Sequence, residues 1–303
     1  MSAKNPFFSI VLPTFNRAKL IEPAIKSVLG QTFPYWELII IDDGSTDETE
    51  KVVKKYQDKR IKYFWKENEE RGIARNFGVN KSNGKFICFL DSDDYYLFYH
   101  LLHLHQLIEQ NKDDVFFQTS YQCRDASNNL LNEKILPAKI TITDIAKCNY
   151  LSINGLCLDA SIARQFPFPE DPKFSIGEDH YFWLTLLARY SLITTPMVTS
   201  VVVEHPSKTM NTIDPNTLLY SAKKITELME RDAIFNAACP IGVSRVVANW
   251  YSTATYFAFR NGQKKQGFQL LWQTFKRRPQ ELLQLRTLSM VYRFFKPVTV
   301  IKP

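Results

Sequence analysis

Phe86-Ile87-Cys88-Phe89-Leu90 is an unbroken apolar run that passes directly into Asp91-Ser92-Asp93-Asp94. A short apolar run closed by a polar cluster reads as a strand covered on both faces, which is the situation of strands in parallel sheets flanked by helices. Outward from it, Phe7 to Leu12, Leu38 to Ile41 and Ile61 to Trp65 are also short runs dense in apolar residues, while Lys19 to Leu29, Thr46 to Tyr56 and Arg71 to Val79 between them carry a helical period. The βαβαβαβ order predicts an α/β fold with a mostly parallel central sheet. Ligands on such sheets bind outside the carboxyl ends of the strands. The polar residues that follow strands are Pro13-Thr14-Phe15-Asn16-Arg17, Asp42-Asp43-Gly44-Ser45 and Asp91-Ser92-Asp93-Asp94, so these are the places to look for chemistry.

Further along, the pattern predicts a helix starting near Tyr96, a strand from Asp114 to Tyr121, a helix from Gly177 to Tyr190 and a late strand from Thr199 to Glu204. Beyond about Asn211 only helical patterns remain: Asn216 to Arg231, Val243 to Asn261, Lys264 to Phe275 and Gln280 to Phe295, separated by Pro240, Gly262 and Pro279. The expected organisation is a catalytic α/β domain over 1–210 and a basic, aromatic-rich helical region over 211–303.

The 303 residues carry a net charge of +7, unevenly placed. Ten of the 38 Lys and Arg lie from Arg260 onward with Glu281 as the one acid there, which leaves the rest of the chain slightly acidic. A basic tail suits an anionic surface, and charge alone does not choose among nucleic acid, membrane and acidic partner. No apolar run approaches the roughly 18 uncharged residues of a membrane span, and Met1 to Phe8 lacks the layout of a signal peptide. Five cysteines, an odd number with no C-x-x-C pair, fit reduced thiols. These features predict a cytoplasmic protein, peripheral at most on the inner face of a membrane. No P-loop, G-x-G-x-x-G, G-x-S-x-G or H-E-x-x-H is present, which withdraws support from P-loop NTPases, dinucleotide dehydrogenases, α/β-hydrolases and zincins.

In an extended chain residues i and i+2 point the same way about 6.5 Å apart, so Asp91 and Asp93 can address one ligand at two points. Carboxylates this close repel unless cations offset them, and hard oxygen donors favour Mg²⁺ or Mn²⁺. The same acids serve equally well as caps of the next helix. Asp42 and Asp43 end another strand, where an aspartate can accept from a nucleobase imide or bind ribose, although Asp42 to Asp47 also reads as a capping turn. Arg71 and Arg75 share one face at a helix start that favours anions such as a diphosphate. Glu178 and Asp179 open a helix, as its dipole prefers, and either carboxylate can serve as a general base. His205, at a strand end, is a metal ligand or a satisfied histidine.

These stretches, with Ser27-Val28-Leu29-Gly30-Gln31-Thr32, Gly72-Ile73-Ala74-Arg75-Asn76-Phe77-Gly78, Gly177-Glu178-Asp179 and Glu204-His205-Pro206-Ser207, closely resemble in order those of the family 2 inverting glycosyltransferases of bacterial type. The resemblance implies a Rossmann-like GT-A fold, a nucleotide-sugar donor, most often a UDP-sugar, and a glycan or lipid-linked glycan acceptor, as in cell-surface polysaccharide synthesis. It implies a nucleotide pocket of Pro13, Thr14, Asn16, Asp42, Asp43, Arg71, Arg75, Asp91 and Ser92, with Asp91 on the ribose. It also implies Mn²⁺ or Mg²⁺ on Asp93 with His205, Asp179 as catalytic base, and Glu178 orienting it or the acceptor. No tyrosine or arginine precedes His205, as it does in many relatives. The basic helices then suit an anionic membrane surface, and no nucleic-acid motif accompanies them. The competing readings are a sugar nucleotidyltransferase, for which the first strand lacks the glycine-rich loop, and a nucleotide-binding scaffold without catalysis.

Overall fold

The computed structural model describes residues 5–206, 208 and 213–277. Its strands are β1 Phe8–Thr14, β2 Trp36–Asp43, β3 Ile61–Lys66, β4 Phe86–Phe89, β5 Tyr95–Tyr96, β6 Phe116–Asp125, β7 Leu130–Lys134, β8 Leu156–Asp159 and β9 Ile193–Glu204. Its helices are α1 Ile21–Leu29, α2 Thr49–Val53, α3 Arg71–Lys81, α4 His100–Gln110, α5 Ile142–Lys147 and α6 Ala160–Gln165. They continue with α7 Glu178–Leu187, α8 Pro215–Arg231, α9 Ala233–Ala238, α10 Gly242–Arg260 and α11 Lys264–Arg277. Two compact units result. The first comprises the described residues up to Thr141 with Tyr150–Pro172 and Thr185–Pro206. The second comprises Ile142–Asn149, Lys173–Leu184 and the described residues beyond Pro206.

The first unit holds a sheet in the order β3-β2-β1-β4-β8-β6-β9-β5, with β7 paired to β6. Its first four strands are parallel, as the βα alternation predicts. From β4 onward it is mixed: β8 runs antiparallel to both β4 and β6, and β9 runs parallel to β6. Alternation along the strands distributes the core. Leu38 and Ile40 of β2 face α1 and α4 in a cluster with Ile10, Leu12, Ile25, Val28, Leu101 and Leu104. Ile39 and Ile41 face the other way and pack with Ala74 of α3, Phe64 and Phe77. Each such fully buried side chain stabilises the fold by about 1.5–3 kcal/mol. Gly78 lets α3 lie close against the sheet, because a Cβ there would come within 2.4 Å of Val11 Cγ1.

The helix predicted near Tyr96 is a correction. Tyr95 and Tyr96 instead form β5 against Val201 and Ser200 of β9, and the helix begins at His100. Paired aromatics fit a pleated sheet, and the buried Tyr96 hydroxyl donates to the Phe89 carbonyl at 2.6 Å, which holds the segment extended.

The amino-terminal edge of the parallel strands is closed by Glu37. Its carboxylate accepts from Ser9 Oγ, Lys62 Nζ and the Asn83 amide, each at 2.6 Å. Burial raises the Glu37 pKa, but these bonds outweigh it and hold the carboxyl below its ordinary value. The carboxyl-terminal edge is where the polar turns cluster.

In the second unit α8, α10 and α11 pack around Leu218, Ala222, Val247, Tyr251, Ala254, Phe257, Ala258 and Leu270. The helix expected over Gln280 to Phe295, and the basic residues Arg278, Arg286, Arg293, Lys296 and Lys302, lie outside the described residues. Among the described residues no helix is long and apolar enough to cross a membrane.

Candidate active site

β1 lies between β2 and β4, both parallel to it, so three carboxyl ends meet at one edge of the first unit. Thr14 stands opposite Asp42 in register, and the Asp91 turn follows the neighbouring strand. Proline fits inside β1 because β4 pairs only as far as Val11, so the missing N–H of Pro13 falls beyond that strand's end. The Thr14 side chain is buried, and its Oγ1 has no hydrogen-bond partner among the described residues. A buried hydroxyl without a partner is costly and marks a place where a ligand or water belongs.

The two aspartates at the end of β2 have different employment. Asp42 is fully buried: Oδ1 accepts from the Ser45 amide at 2.8 Å and Oδ2 from the Tyr63 hydroxyl at 2.6 Å. Burial, and then this bond to Asp42, push the Tyr63 hydroxyl well above its ordinary pKa. Asp42 thereby shapes the turn. Asp43 Oδ1 accepts from Lys66 Nζ at 2.7 Å and from the Glu69 amide at 3.1 Å. Burial lowers the Lys66 pKa, but its bonds to Asp43 and Glu69 overcome this and keep it raised. Asn16 is exposed in the left-handed region at φ 51°, which asparagine tolerates better than most residues. Its Oδ1 accepts from the Thr46 amide at 2.8 Å and its own amide donates to Ser45 Oγ at 2.8 Å, so it ties the loop after β1 to the loop after β2.

The turn after β4 is held from three directions. Arg75, buried in α3, donates from Nη2 to Asp91 Oδ1 at 2.8 Å. Asp94 is buried, accepting from the Val203 amide at 2.8 Å and from Asn154 Nδ2 at 2.6 Å. Asn154 Oδ1 in turn accepts from the Asp91 amide at 2.9 Å. Between these anchors Asp93 Oδ2 meets His205 Nε2 at 3.0 Å. Ser92 is buried in the same turn, and Arg71 opens α3, half-buried. Sequence reasoning missed Asn154, Tyr63 and Lys66. Asn154-Gly155 carries only a turn signal, and Tyr63 and Lys66 look like ordinary strand residues.

Asp93 and His205 bring one carboxylate oxygen and one imidazole nitrogen together; the oxygen is the donor type that suits Mn²⁺ or Mg²⁺, whereas the imidazole suits the later transition ions. Among the described residues no group of three or more potential ligands forms. A cation here would complete its shell with ligand oxygens and water, as Mg²⁺ does with phosphates.

Glu178 and Asp179 belong to the second unit, in the first turn of α7, after Gly177 at φ 90°. Glu178 is buried. Asp179 Oδ1 accepts from the following His180 amide at 2.6 Å, and Asn149 Nδ2 approaches Oδ2 at 3.4 Å.

The model of the family described as glycosyl transferase family 2 matches residues 9–168. The chain belongs to glycosyl transferase family 2. A relative from Escherichia coli, the UDP-Glc:alpha-D-GlcNAc-diphosphoundecaprenol beta-1,3-glucosyltransferase WfgD, is 33% identical over 181 residues, covering 59% of this chain and 69% of that protein. The chain spans 26% and 40% of the length of two other curated relatives, uncharacterized rickettsial glycosyltransferases. Its structure resembles that of TarS from S. aureus in complex with UDP-GlcNAc, with TM-score 0.67 and 18% identity over 95% of this chain and 89% of that one. It also resembles the mannosyltransferase PcManGT of Pyrobaculum calidifontis in complex with GDP-Man and Mn²⁺, with TM-score 0.59 and 17% identity over 98% and 88% of the two chains. The fold is the GT-A fold that the family 2 resemblance implies.

Proposed function

We propose that this protein transfers a sugar from a nucleotide-sugar, a UDP-sugar by preference, to a hydroxyl of a glycan or lipid-linked glycan, with inversion at the anomeric carbon. The observation that carries this reading is the carboxyl-terminal edge of β1, β2 and β4. There the buried Thr14 hydroxyl, Asp43, the Arg75–Asp91 pair and the Asp93–His205 pair converge on the three strand ends. WfgD is named for a UDP-Glc donor and a diphosphoundecaprenol-linked acceptor, and TarS is in complex with UDP-GlcNAc, which supports the donor and acceptor classes.

In this reading Asp43 and Thr14 receive the nucleoside and Asp91 the ribose hydroxyls. Arg75 holds Asp91 and adds a fixed positive charge beside the diphosphate. Asp93 and His205 would hold the divalent cation, whose Lewis acidity offsets the charge of the departing diphosphate. Asp179 removes the proton of the acceptor hydroxyl as it attacks, and Glu178 orients it or the acceptor. One base suffices for a single displacement, and a single displacement inverts.

The test needs no acceptor. Incubation with UDP-, GDP- and dTDP-sugars in Mn²⁺, followed by proton NMR, should show slow hydrolysis of a UDP-sugar, with an α-linked donor releasing the β-anomer first. Release of the α-anomer first would overturn inversion, and no turnover of any donor would overturn the donor class.

We further place the basic helices against an anionic membrane surface. On α11, Phe268 and Trp272 share one face and are 48% and 54% exposed. Lys264, Lys265 and Lys276 lie on the same helix, and Lys276 Nζ sits 5.7 Å from the Trp272 ring centroid. Exposed aromatics among lysines suit a headgroup interface, where each basic residue contributes about 1 kcal/mol. Vesicles containing phosphatidylserine should float the protein at low salt and release it at high salt. Absence of flotation at low salt would dismiss this contact.

A further inference from the structure

Trp250 lies in the middle of α10 with its indole against the bare Cα of Gly177: a Cβ there would come within 2.4 Å of Trp250 Cη2 and Cζ2. The indole Nε1 is 3.0 Å from His180 Nδ1, and His180 Nε2 is 2.9 Å from the Ile145 carbonyl oxygen. An indole N–H only donates and a carbonyl only accepts, so His180 is fixed as the neutral tautomer with its proton on Nε2. Burial draws its pKa down to about 4, so the ring stays neutral and the relay intact at neutral pH. The preceding residue on α10, Asn249, donates to the Ala146 carbonyl at 2.8 Å and also to that of Lys147.

These contacts bracket Asp179. One carboxylate oxygen takes the amide of His180, the residue Trp250 grips, and the other faces Asn149, two residues beyond Lys147, whose carbonyl Asn249 holds. We infer that Trp250 and Asn249 are positioning residues: α10 fixes the turn Gly177-Glu178-Asp179 and the end of α5 together, and so aims the Asp179 carboxylate. The inference rests on Asp179 being the general base. Trp250 contacts Gly177 and His180, and Asn249 the end of α5. Their effect reaches chemistry through the orientation of one side chain, and an ångström of misplacement can cost about 10²-fold in rate.

Trp250→Phe keeps a ring against Gly177 and deletes the N–H that His180 accepts. It should lower kcat about tenfold while donor KM and UDP affinity stay at wild-type values, and the melting temperature should fall modestly because the buried His180 Nδ1 loses its donor. In an Asp179→Asn background the same change should cost nothing further, since there is no base left to aim. Asn249→Ala should behave likewise. Wild-type kcat in Trp250→Phe, beside a collapsed Asp179→Asn, would overturn the positioning role and leave the base assignment standing. Parallel losses in kcat, UDP affinity and melting temperature would overturn it in favour of plain packing. Turnover retained in Asp179→Asn alone would remove the base assignment, and this inference with it.

Discussion

Asp179→Asn should reduce kcat by about 10² to 10⁴-fold, the usual worth of a positioned general base, while UDP affinity stays within about twofold of wild type. Asparagine has the shape of aspartate, and its carbonyl oxygen can still accept the His180 amide that Asp179 Oδ1 accepts at 2.6 Å. The turn therefore keeps its conformation, and the loss is confined to proton removal. Asp179 lies in the second unit and the nucleotide-binding candidates in the first, so donor affinity is an independent readout. Turnover within about tenfold of wild type would show that Asp179 is not the base.

Asp93→Asn should lower kcat/KM at least about 100-fold, because stabilisation of charge on a leaving group contributes roughly 2.7–4 kcal/mol. Its signature is different: the strengthening of UDP binding by Mn²⁺ should disappear, leaving the affinity seen in EDTA. His205 Nε2, 3.0 Å from Asp93 Oδ2, cannot replace the lost charge, since an imidazole must be neutral to ligate. The neighbouring anchors, Arg75 on Asp91 and Val203 with Asn154 on Asp94, are untouched, so the melting temperature should hold. Mn²⁺ that still strengthens UDP binding in Asp93→Asn would place the cation elsewhere.

The parallel half of the sheet is legible because β1, β2 and β4 are dense apolar runs and the helices between them carry a clean period; β3, at the edge, is more mixed. β5 was not legible, since two tyrosines before a helix look like its first turn, and only pairing with β9 makes them a strand. β8, α5 and α6 are too short to declare themselves and are fixed by their neighbours in space. The site's location follows from topology, which carries Thr14, Asp43 and the turn Asp91 to Asp94 to one edge. Which acid of each cluster faces a ligand does not follow. Asp42 is occupied by Tyr63, and Asp94 by Val203 and Asn154, partners distant in the chain with no pattern to announce them. Asn16 reads as a pocket residue, and the structure shows it joining two loops. Trp250 reads as one aromatic among many until its contact with Gly177 is seen.

The central claim is that the carboxyl-terminal edge of β1, β2 and β4 binds a nucleoside diphosphate, and calorimetric titration of UDP addresses it most directly. The account predicts saturable one-to-one binding in Mn²⁺, weakened in EDTA and abolished by Asp43→Ala. A flat titration in Mn²⁺, or binding indifferent to Asp43→Ala, would contradict it.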